Sequence, residues 1–205
     1  MYQHVLKTAA IGSALMFMAA GSASAADEGR ISFNMVVSAG AKTCLPNARA
    51  EVQIVSSGTA EDMYIEATGL PPNTDFDFFV IQVPNAPFGL SWYQGDLQTN
   101  AFGEAHQRFR GRFNIETFIV AQPPGNQPAP VVHDQLPFPD ADHNPATEPV
   151  HTYHLGLWFN SSADALKALC PGNVTRFNGE HNAGIQVLNT SNFPNDHGPL
   201  RDLVP

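Results

Sequence analysis

The sequence predicts an all-β protein, an antiparallel β-sandwich or barrel with one short helix and one long Pro-rich loop. Three observations predict it. Short apolar runs alternate at period two and recur about every ten residues, divided by Gly, Pro and Asn. A capped helical pattern occurs over one stretch, residues 161–169. Residues 122–149 carry eight prolines and almost no periodicity, which marks a long loop.

The first 25 residues read as a secretory signal peptide. His4 and Lys7 make a weakly basic start, residues 9–20 are apolar, and Ala23-Ser24-Ala25 has the small-x-small cleavage form. The apolar run is short for a membrane span, and no later run is longer, so no span is expected after cleavage. The mature part, residues 26–205, suits a single β-sandwich domain with residues 122–149 as an insertion loop. Lys7 leaves with the peptide, so 19 acidic residues face one fewer than the 10 basic ones of the full chain. That excess argues against nucleic acid and anionic membrane surfaces as partners. The destination is secreted or periplasmic. In an oxidising compartment the two cysteines, Cys44 and Cys170, are expected to form a disulfide.

In chain order, residues 31–38 alternate with Ile31, Phe33, Met35 and Val37 on one face. Residues 40–48 form a loop holding Cys44, and residues 50–56 alternate again through Val52 and Ile54. After the turn at Ser57-Gly58-Thr59, residues 63–67 run back. Gly69-Leu70-Pro71-Pro72-Asn73 is turn chemistry. In residues 75–83, Phe76, Phe78 and Val80 share one face; the other begins with Asp75 and Asp77 and continues with Phe79 and Ile81. Such a strand is central in its sheet and emerges from one rim. Residues 95–99 and 104–109 flank Asn100-Ala101-Phe102-Gly103, which fits a hairpin closed by a left-handed glycine. Trp92 and Tyr93, just before it, either cap the core or form an exposed ligand platform. Residues 114–121 read as another strand.

Beyond the Pro-rich loop, residues 150–159 read as one strand with His151, Tyr153, Leu155, Leu157 and Phe159 on a shared face. Ser161 or Ser162 caps a short helix that closes at Cys170-Pro171-Gly172, with an acid in its first turn. The disulfide would staple this helix to the loop after the first strand. Residues 183–189 are the last strand, and the polar tail from residue 192 is expected to lie across the surface.

Two clusters carry possible chemistry. His133, Asp140, Asp142, His143 and His151 lie within about twenty residues of one another, and such side chains bind zinc, copper or calcium. Asp140-x-Asp142-x-Asn144 imitates the start of a calcium loop, but Pro145 stands for the required glycine and His151 for the bidentate glutamate. The alternative is a solvated acidic loop with structural histidines. The second cluster is Arg176, Glu180 and His181 around the Asn178-Gly179 turn; Glu180 and His181 form either an acid/base pair or hydrogen bonds to neighbouring loops. No serine or cysteine stands in a nucleophile motif, and there is no phosphate-cradling glycine loop or dinucleotide fingerprint.

The segments ATGLPPNTDFDFFVIQ, GDLQTNAFGEA, HLGLWFNSSADALKALCPG and TRFNGEHNAGIQVLNTSNF resemble a group of secreted bacterial β-sandwich proteins of unknown function. The turn–strand–hairpin part also resembles extracellular immunoglobulin-like and copper/zinc superoxide-dismutase-like sandwiches. The resemblance implies an immunoglobulin-like antiparallel sandwich and assigns no catalytic residue, since no H-x-H pair lies on a strand. Two functional expectations follow. The first is an exported non-enzymatic protein that uses its loops, with Trp92, Tyr93, Arg176, Glu180 and His181, to bind an extracellular ligand or protein, without a cofactor. The second is a metal-binding protein or metal-dependent enzyme built on the loop histidines and carboxylates.

Overall fold

The computed structural model describes residues 29–121, 148–176 and 182–204. The expected signal peptide and most of the expected Pro-rich loop lie outside them. Ten strands run in chain order: β1 (Arg30–Val37), β2 (Arg49–Ser56), β3 (Glu61–Thr68), β4 (Asp75–Ile81), β5 (Ser91–Gln98), β6 (Ala105–Gly111), β7 (Phe118–Ala121), β8 (Glu148–His151), β9 (His154–Phe159) and β10 (Gln186–Asn189). Helix α1 (Ser162–Lys167) follows β9, and a 3-10 turn (Pro199–Asp202) lies near the end.

Eight strands form one antiparallel sheet in the order β5-β4-β9-β10-β1-β2-β3-β6. β1 belongs to both halves: its first six residues pair with β2, and Val36 and Val37 pair with β10. The expected all-β antiparallel class is therefore present, but the sheet curls into a nearly closed barrel rather than two clearly separate sheets. The two ends of the order, β5 and β6, are consecutive in sequence, and β6 lies beside β3.

Rows across the first half show why it curls. Ile31, Ile54, Met63 and Phe109 stand side by side, while the row of Met35, Ala50, Ala67 and Ala105 is mostly alanine. Large side chains fill one level and small ones let loops close over the other, as the taper of a small barrel requires. Phe76, Phe78, Leu157 and Phe159 fill the opposite wall. β4 is central as its alternation predicts, paired to β5 and β9. Its inward face joins the main core, and its outward Phe79 and Ile81 form a second cluster with Trp158, Ala183 and Phe88.

Five local expectations change. The Asn100–Gly103 turn forms, with Gly103 at φ 74° and the Asn100 Oδ1 accepting from Phe102 N and Glu104 N. The strands it joins, however, do not pair with each other: β5 pairs with β4, and β6 with β3. The turn is an arch between the two ends of the sheet, where β5 and β6 approach each other without pairing. Residues 150–159 are not one strand. β8 pairs with β7 in a separate two-stranded ribbon, and the chain breaks at Thr152-Tyr153 before β9 enters the barrel. Glu148 and Pro149 also belong to β8 rather than to the loop, and residues 114–117 form a turn rather than the start of a strand, which begins at Phe118. The tail is not confined to the surface, since Leu200 and Leu203 are buried in the main core.

α1 forms as predicted. The Ser161 hydroxyl accepts from Asp164 N at the N-cap, and Asp164 pairs with Lys167 at 2.8 Å. Those contacts, Lys167 first, hold the Asp164 carboxyl below its usual pKa. Cys170 follows the helix and is bonded to Cys44 in the loop after β1, with Cα atoms 5.2 Å apart. Among the described residues no helix is long and apolar enough to cross a membrane.

Candidate functional site

The turn at residues 112–118 is the centre of the rim. It is set by the fully buried carboxylate of Glu61, at the start of β3. Glu61 accepts from Phe113 N at 2.8 Å and from Asn114 Nδ2 at 2.7 Å, and Arg112 reaches it at 3.5 Å. The turn then ties itself together: Asn114 N donates to Thr117 Oγ1, whose hydroxyl donates to Arg112 O, and Glu116 N donates to Asn114 Oδ1. It is also tied to its surroundings, since Ile115 N donates to Leu203 O and Thr152 N to Thr117 O.

On this base stand three rings in contact. His151 stacks on Tyr153 at 4.9 Å with an interplanar angle of 18°, and Phe118 meets the edge of His151 at 6.3 Å. The Tyr153 hydroxyl donates to Ile115 O at 2.7 Å, and burial raises its pKa against the opposing effect of Arg201. The His151 Nδ1 lies 3.2 Å from Thr117 O. A carbonyl only accepts, so the proton sits on Nδ1 in the neutral ring and Nε2 is left as an acceptor.

Two open grooves flank this strip. One, of about 730 Å³, is lined by His151, Tyr153, Gln82, Asn195, Asp196 and Arg201. Arg201 is held by its bond to Asp196 O at 3.3 Å. The other, of about 490 Å³, is lined by Trp92, Gln94, Arg112, Glu116 and Phe118. Phe118 is half exposed.

Of the predicted residues, His151 lies in the first groove and Trp92 in the second. Trp92 is half-buried against the core, with Nε1 donating to Gln94 Oε1 at 3.0 Å. Tyr93 is its neighbour on β5, so it points to the other face, where it packs edge-on against Phe79 and bonds Asp96. Arg176 is exposed and lines neither groove. His133, Asp140, Asp142, His143, Glu180 and His181 lie outside the described residues. Among the described residues there is no group of three or more His, Cys, Asp or Glu placed to hold a metal ion.

Sequence reading missed most of the first groove. Asn195, Asp196 and Arg201 sit in the tail, whose polar composition gave no sign that Leu200 and Leu203 anchor it. Tyr153 was assigned to a barrel strand, because nothing in the alternation marks the break at Thr152. The acceptor role of His151 depends on the carbonyl of Thr117, 34 residues away.

A scan against protein-family models finds no match to this chain, and no curated protein matches it.

Proposed function

We propose that this chain is an exported, non-enzymatic binding protein of the cell envelope or extracellular space, and that its ligand lies on the rim around His151. The observation that carries this reading is the groove of about 730 Å³ in which a pinned aromatic pair faces the polar side chains of Gln82, Asn195, Asp196 and Arg201. A concave, pre-formed surface with a few convergent polar groups is the ordinary form of a ligand site. The rigid barrel presents it from turns and a tail, which vary without disturbing the core. The immunoglobulin-like kinship implied by the sequence belongs to the same reading, supported by the antiparallel all-β framework. Export is supported by the signal-peptide pattern and by the disulfide.

The test is retention of the mature protein on immobilised envelope fractions and on polymers shed into the medium. Saturable retention, reduced at least tenfold in a His151→Ala, Arg201→Ala double variant of unchanged melting temperature, is expected. Retention unaffected by that variant would place the function elsewhere. Stoichiometric metal in protein purified without a tag, lost on His143→Ala, would replace this reading by the metal-binding one.

A further inference from the structure

The two grooves are joined by a continuous row of rings. Phe118 lines the smaller groove and touches His151, and His151 and Tyr153 line the larger. Residues 115–118 line both: Ile115 faces the larger groove, while Glu116, Thr117 and Phe118 face the smaller. We infer that the grooves form one elongated site and that it takes a linear, uncharged glycan, lying along the Phe118–His151–Tyr153 strip. This inference rests on the binding reading above and adds the ligand class and its extent.

The chemistry of the lining selects the class. A pyranose ring presents an apolar C–H face and an edge of hydroxyls, each of which both donates and accepts. The three rings supply apolar surface against which those faces can pack. The edges of both grooves mix donors with acceptors: Gln82, Asn195, Asp196 and Arg201 in one, Gln94, Arg112 and Glu116 in the other. Hydroxyls match such a mixture, because every group they meet is satisfied in one direction or the other. His151 Nε2 is an acceptor fixed by the bond from Nδ1, well suited to a sugar hydroxyl. Polyanions fit poorly, since Arg112 already meets Glu61 and Glu116, carboxylates stand in both grooves, and the whole chain carries −9. An extended peptide also has backbone donors and acceptors and can dock on rings, but it lacks the two-way hydroxyls that the mixed donors and acceptors of both grooves match.

Phe118 and Arg201 are exposed and stand in different grooves, so their variants report on the two halves separately. The experiment is affinity electrophoresis of the mature protein through gels containing a soluble β-glucan, xylan, galactomannan, alginate or heparin. Calorimetry with oligosaccharides of two to eight units of the retarding polymer follows, with a proline-rich peptide as a further probe. The expected result is retardation by a neutral glycan and affinity that rises at least tenfold from two units to six. Phe118→Ala and Arg201→Ala should each weaken the six-unit ligand at least tenfold. If chain length has no effect, or only one variant matters, the two grooves are not one site. Retention by alginate, heparin or the peptide alone overturns the uncharged-glycan class. It leaves the binding reading standing if the His151→Ala, Arg201→Ala variant still abolishes it. No retardation by any neutral glycan also overturns the inference, and the envelope-retention assay then decides the binding reading by itself.

Discussion

Glu61 and His154 show how single buried polar groups hold the rim in place. Glu61 is fully buried, yet its two oxygens meet a backbone N–H, an amide and a guanidinium, all from residues 112–114 beyond β6. Its removal would strand the Phe113 N–H and the Asn114 amide, at roughly 1–3 kcal/mol for each donor left unpaired. Glu61→Ala is therefore expected to lower stability by about 3 kcal/mol or more in urea unfolding, and to weaken ligand retention even where the protein is still folded. A variant as stable as the parent would refute the role given to Glu61. His154 is fully buried, with Nε2 donating to Pro194 O at 3.1 Å and Nδ1 accepting from the Thr190 hydroxyl at 2.9 Å. Burial lowers its pKa below the ordinary value, outweighing those bonds. The folded state thus resists protonation that the unfolded chain accepts from about pH 6.5 downward. The His154 contribution is complete above that pH and is lost as pH falls through the lowered folded value. Unfolding free energy should decline from pH 7 to pH 5 more steeply in the parent than in His154→Gln. Equal slopes would assign the decline to other groups.

At the scale of elements, the disulfide and the arch carry the argument. Cys44 and Cys170 close 126 residues of sequence and fasten the end of α1 to the loop after β1. α1 has only six residues and touches the barrel mainly through Ala165, so by itself it is marginal. In the chain-entropy model a bridge over so long a loop contributes about 5 kcal/mol. Replacing both cysteines by serine should lower the urea midpoint strongly, and reductant should move the parent to the same midpoint. A change below about 1 kcal/mol would mean that helix and loop are held without it. The Asn100–Gly103 arch needs glycine for a different reason. Gly103 has φ 74°, and a Cβ there would run into the Leu70 carbonyl. The arch thereby seats the 70–73 turn on the barrel end, with Leu70 N donating to Gly103 O.

Across the whole molecule, one end of the barrel is closed by the disulfide loop and the arch, and the proposed ligand site lies where residues 112–117, the β7–β8 ribbon and the tail meet. Much of the barrel was legible in the sequence, because strand alternation is a local property. Phe33, Met35, Val52, Ile54, Phe76 and Phe78 declare an inward face whatever their neighbours turn out to be. The two faces of β4 could be read in the same way, as could the serine cap of α1 and, from the compartment, the pairing of the two cysteines. Partner choice is not local. The hairpin pattern around Asn100 is the same whether its strands pair or part, and only closing the barrel core decides that they part. The break at Thr152, the burial of Leu200 and Leu203, and the meeting of Phe118, His151 and Tyr153 depend on contacts between residues some thirty to ninety positions apart. The sequence by itself therefore determined which faces are apolar, where turns fall and which compartment suits the cysteines. Tertiary structure alone decided which strands are neighbours and which polar groups converge, since those outcomes depend on packing energy summed over the whole chain rather than on any one segment.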